Sequence, residues 1–264
     1  MKGRSILIAV GIFIGICIAG LGAGWYYTNS QSFMQTAGAA AAEKAQAMLG
    51  TRIEVGRIRV DSLHSLTAED ITVYDKQDQE IAQADSARVE FSLFSLFKKS
   101  PAEAVNTVTI RMATAQLVRR EDGSWNYEDL TQNQGESGNF TGKVVIEDGM
   151  LTGRMDGQEL ALGNLQGTLD FADNPSVGVK ASFTNHAAEV SLSGHLGGER
   201  QTLSVEGNDF VLSDYLGFLP EGTLPENVKL EDAAIHKLKL AAVRQGDDVT
   251  LNGQTEFSDG RVNV

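Results

Sequence analysis

Three regimes of hydrophobic patterning succeed one another along the chain. Residues 5–27 form an uncharged run built on Ile6, Ile8, Ile12, Phe13, Ile16, Ile18 and Leu21, and it ends on Trp25 and Tyr26. A run of that length spans a bilayer as a helix, which takes about 20 apolar residues, and aromatic rings favour the headgroup level where it stops. Lys2 and Arg4 ahead of it predict a cytoplasmic amino terminus, with everything from Thr28 onward exported. A cleaved secretory signal is the competing reading, but its apolar core would be shorter, about 7 to 15 residues. Between Ser30 and Gly50, Phe33, Ala37, Ala41, Ala45 and Met48 recur at helical spacing, which predicts a short amphipathic helix.

From Thr51 onward the period is two. Ile53 and Val55 alternate, then Ile58 and Val60 on the other parity, with Gly56 at the switch where a bulge restores the face. Ile71 and Val73 follow, then Ala87, Val89, Phe91 and Leu93, then Val108, Ile110 and Met112. After the loop-like QNQGESGN come shorter strands separated by Asp148-Gly149, Asp156-Gly157, Gly197-Gly198, Gly246-Asp247 and Asp259-Gly260, dipeptides suited to tight hairpins. The segment SDYLGFLPEG, capped by Ser213 and stopped by Pro220, interrupts them as a short helix. This pattern predicts a mainly β protein: an anchor over 1–28, a helix-plus-strand module over 29–131, and a repetitive antiparallel meander over 132–264. Its apolar face has almost no helical sequence left to cover it, so that face must fold on itself or meet lipid. The final FSDGRVNV stops within a strand-like pattern, from which a longer chain is expected.

Composition narrows the partners. A net charge of −13 disfavours nucleic acid and anionic headgroups as partners of the exported part, because an acidic surface would repel either. The single cysteine, Cys17, lies in the predicted anchor, so no intrachain disulfide forms and stability must come from sheet and core. Chemistry-bearing constellations are absent from the pattern. His64, His186, His195 and His236 are scattered without a second ligand at metal spacing, and no phosphate-cradling or nucleophile-elbow motif occurs. No enzyme activity, metal or cofactor is therefore expected. Arg119, Arg120, Lys98 and Lys99 either gather as a basic patch for anionic headgroups or sit solvated at turns.

The succession of anchor, alanine-rich helix ending in LGTRIEVGRIRV, then LTAEDITVYD, SARVEFSLFSLF and LVRREDGSWNYEDL resembles the amino-terminal part of the AsmA-like and TamB family over about residues 1 to 130. Asp122, Gly123, Trp125 and Asn126 are the most specific piece: an acidic-Gly turn followed by Trp-Asn. The resemblance implies a single-pass inner-membrane protein of a diderm bacterium whose periplasmic part is a taco-like β-groove. It implies passage of phospholipid acyl chains between inner and outer membranes, or alternatively assembly of outer-membrane proteins with a β-barrel partner. Val89, Phe91, Leu93, Val108, Ile110 and Met112 are the candidate groove residues, since they share strand parity soon after the anchor, and ordinary dry core is their competing role.

Overall fold

A computed structural model describes residues 51–92, 95, 101–120, 122–131, 140–155, 158–173, 175–186, 188–211, 229–231, 234–246, 248–258 and 261–263, with isolated positions 39, 43 and 46. The predicted anchor, the loop at 132–139, the helix after Ser213, and Leu93, Lys98 and Lys99 lie outside the described residues. So does most of the helix expected before Gly50, of which Ala39, Glu43 and Gln46 carry exposed helical backbone. Among the described residues no helix is long and apolar enough to cross a membrane.

Alternation of apolar and polar residues produces one long sheet. Strands β1 (Ile53–Ser62), β2 (Ser65–Tyr74), β3 (Glu80–Phe91) and β4 (Val105–Arg111) pair in order, each antiparallel to the last. After Met112 and Ala113 the chain resumes as β5 (Thr114–Val118), which lies, like β4, between β3 and β6 (Lys143–Met155). Then follow β7 (Gln158–Asp170), β8 (Val177–Asn185), β9 (Ala188–Leu196) and β10 (Arg200–Val211). The series ends with β11 (Lys229–Glu231), β12 (Ala234–Gln245), β13 (Asp248–Ser258) and β14 (Arg261–Asn263). Twelve of these strands make one sheet, with β1 and β13 at its ends, and β11 pairs with β14 separately.

Three features depart from the pattern-based expectation. The join between the two predicted modules is parallel: β4 and β5 run alongside β6 in the same direction, from Thr107 beside Lys143 to Val118 beside Arg154. A hairpin cannot connect parallel neighbours, so residues 119–142 serve as a crossover. That crossover re-enters the sheet at Gly142, where a Cβ would sit 2.5 Å from the Asn106 carbonyl oxygen, so only glycine fits. Asp148-Gly149 is not a hairpin turn but lies inside β6, which is flanked by strands along its length and has no room to reverse. Asp259-Gly260 lies outside the described residues, and β14 meets β11 in the register with which β13 meets β12. Met112 falls beyond the end of β4, at φ 50° and 61% exposed, so it does not share the face of Val108 and Ile110. By contrast, Gly123, Gly197, Gly198 and Gly246 do take positive φ at turns, as their sequence positions predict.

Charged pairs placed directly opposite each other hold the register on the outer face. Arg57 faces Glu69, Arg111 faces Glu147, Lys143 faces Asp170, Arg154 faces Glu159 and Lys239 faces Glu206. Each exposed pair contributes about 0.2–1 kcal/mol, but a one-residue slip would lose the pair and turn the apolar set outward together.

Candidate functional site

Every second side chain contributes to one apolar stripe that crosses the whole sheet. Leu66 registers with Val89, Val89 with Val108, Val108 with Val144 and Val144 with Leu169. The row continues from Leu169 through Val179 to Gly194 and Leu203, then through Ala242 to Leu251. A parallel row runs one repeat along, through Ala68, Ala87, Ile110, Ile146, Gly167, Ala181, Leu192, Val205, Leu240 and Gly253.

Exposure rises along this stripe. Leu66 and Val89 are fully buried at 0%, Phe91 and Val108 nearly so, and Ile110 is half-buried. From β8 to β12 the stripe is half-buried, and Leu251 on β13 is 64% exposed. β1 and β13 do not pair with each other, so the described sheet does not close into a barrel. Of the predicted groove residues, Val89, Phe91 and Val108 are buried at the β1 end, and Ile110 continues their row. The accessible apolar positions are ones the sequence reading did not single out: Leu192, Val205, Leu240 and Leu251. Their signal was present in the same period-two alternation.

A second feature crosses the sheet beside the stripe. On β1, β2, β3, β6 and β7, and at the junction of β4 with β5, the in–out alternation skips once, placing two successive residues on the outer face. These are Gly56 and Arg57, Glu69 and Asp70, Asp85 and Ser86, Arg111 and Met112, Glu147 and Asp148, and Gly163 and Asn164. Asp70, Met112, Asp148 and Asn164 have φ between 49° and 54°, the left-handed region that Asp and Asn tolerate and Met seldom adopts. The pairs align strand to strand in a crease from β1 to β6, and on β7 the pair is displaced along the ladder to face Met150. At Gly56 a Cβ would lie 2.9 Å from the Asp70 Cβ, so the predicted irregularity at that glycine is a close approach to a left-handed neighbour. Backbone bonds from Met112 N–H to the Glu147 carbonyl (2.9 Å) and from Met150 N–H to the Ala113 carbonyl (2.7 Å) carry the β4–β5 strand past it.

The Asp122-Gly123-Ser124-Trp125-Asn126 motif lies in the crossover. Ser124 donates from its N–H (2.9 Å) and hydroxyl (2.6 Å) to Asp122 Oδ1, and these bonds hold the Asp122 carboxyl below its ordinary 3.8. The turn brings Trp125 opposite Arg119 and stacks its ring near Tyr127. Asn126, 5% exposed, accepts from the Val118 N–H at 3.0 Å and donates to the Gln116 carbonyl at 2.7 Å. Its amide therefore pairs with β5 as a strand's peptide group would, at a stretch for which β3 supplies no registered partner. Arg120 reaches Asp75 at 3.0 Å, with the two side chains 19% and 3% exposed, so it is committed to a buried ion pair rather than to a basic patch. The other Asp75 oxygen accepts from the N–H groups of Gln77 and Gln79, both at 2.8 Å, which shapes the β2–β3 turn.

On the outer face at the crease, Arg57, Arg59, Asp70, Asp85, Ser86 and Arg111 border a polar hollow of about 380 Å³. Among the described residues no cluster of three His, Cys, Asp or Glu side chains could hold a metal ion. His236 pairs with Asp209 at 2.8 Å on the exposed surface. Against protein-family models, curated proteins and solved structures, the chain has no match.

Proposed function

We propose that this chain is an inner-membrane-anchored envelope protein of the AsmA-like type that binds phospholipid acyl chains along its apolar stripe and conducts them across the periplasm. The observation that carries this reading is the unbroken apolar row over the long sheet, dry at the β1 end and increasingly accessible toward β13. Burying each CH₂ of a lipid tail is worth about 0.8 kcal/mol, so a continuous row lets a tail advance without returning to water. The uncharged run at 5–27 supplies the anchor, and the DGSWN motif supplies the likeness to that family. No chemical step is required of the side chains.

β13, an edge strand among the described residues, favours a second reading, an assembly factor that receives a strand of a β-barrel protein by edge pairing. The two readings separate on purification of the full chain in mild detergent followed by lipid mass spectrometry. Acyl-chain transport predicts co-purified phospholipid that is lost in a Leu192→Glu, Leu240→Glu double variant. Absence of lipid together with a stable barrel-protein complex would replace the first reading by the second.

A further inference from the structure

We infer that the crease from Gly56 to Asn164 is a hinge along which the sheet opens and closes its apolar face. Each skip sets two residues on the outer side and none on the inner, so the outer path of the strand is longer and the strand bends toward its apolar side. Because the skips align from β1 through the β4–β5 junction to β6, and on β7 lie one step along facing Met150, the bends add into one fold line with an apolar row on either flank. On β6 these flanks are represented by Val144 and Ile146 on one side and Leu151 on the other.

Ladder hydrogen bonds run between strands and hence along the fold line. Turning about that line leaves them intact and changes the backbone angles of about one residue per strand, the defining economy of a hinge. The residues that absorb the change are already in the left-handed region: Asp70, Met112, Asp148 and Asn164. This inference rests on the lipid reading for its purpose, namely admitting a tail between the flanks, but not for its mechanics.

The test uses the full chain with Cys17→Ser and nitroxides at Lys143→Cys and Arg154→Cys, two exposed outward positions at opposite ends of β6. A straight strand would separate their Cα atoms by about 36 Å, and a right-angle bend midway by about 26 Å. The hinge predicts a broad electron–electron distance distribution below the straight-strand value in detergent, which shifts by several ångströms with phosphatidylethanolamine–phosphatidylglycerol vesicles. An Asp148→Val, Asn164→Val variant, whose branched side chains resist positive φ, should shift it toward the longer distance. A single narrow distance, identical with and without vesicles, overturns the hinge. If lipid mass spectrometry on the same samples still finds bound phospholipid, the lipid reading survives that failure. A broad distribution with no lipid bound keeps the hinge and removes its purpose.

Discussion

At the scale of single residues, the family-like motif has a mechanical explanation. Asn126 occupies the place of a missing strand, with one donor and one acceptor matched to Val118 and Gln116. Each of these two part-buried bonds contributes about 0.5–1.5 kcal/mol, so Asn126→Leu should lower stability by about 1–3 kcal/mol in urea denaturation. Asn126→Asp should fall between, since it retains the acceptor for Val118 and loses the donor. Equal losses for the two variants would show that the amide's pairing is not what matters. The sequence made Trp125-Asn126 conspicuous but could not assign this role, because the partners lie on β5 and become neighbours only through the turn at Gly123. The same holds for Arg120: adjacent basic residues read equally as a patch, and only the β2–β3 turn brings Asp75 to it.

At the scale of elements, period-two alternation located the strands well and their turns less well. Gly197-Gly198 and Gly246 lie at hairpin turns. Asp148-Gly149 carries the same chemistry yet sits within a strand, because an Asp in the left-handed region serves a skipped alternation as readily as a reversal. The distinguishing signal was local: two polar residues between apolar ones on successive strands, as in Ala68, Glu69, Asp70, Ile71. The parallel join was hidden because pairing direction depends on where the crossover lands.

The β6–β7 ladder has an electrostatic consequence at this scale. The Ala172 N–H and, secondarily, Lys143 hold the Asp170 carboxyl below its ordinary 3.8. The folded state therefore prefers the ionised form, and this contribution is present above the ordinary value and fades as pH falls through the lowered one. Asp170→Asn should flatten the pH dependence of the urea midpoint below pH 3.8 while changing the slope little at neutral pH. An unchanged acid limb in the variant would exclude Asp170 as a contributor.

At the scale of the whole molecule, the eleven strands ordered from β1 to β13 extend about 48 Å at roughly 4.8 Å spacing, with the apolar row unbroken across them. Fold class and the existence of an apolar face were legible from alternation alone. Its gradient of exposure was not, since burial depends on what packs above a residue rather than on parity. That gradient moves the candidate lipid contacts from Val89, Phe91 and Val108 to later strands, where alternation on β10 sets Leu203 and Val205 inward and Ser204 and Glu206 outward. The most direct measurement is photocrosslinking from a diazirine amino acid placed in turn at Leu203, Ser204, Val205 and Glu206 of the full chain in phospholipid-containing membranes. Acyl-chain adducts at Leu203 and Val205 with none at Ser204 and Glu206 are expected, whereas adducts at all four, at the outward pair alone or at none would contradict a lipid path along this face.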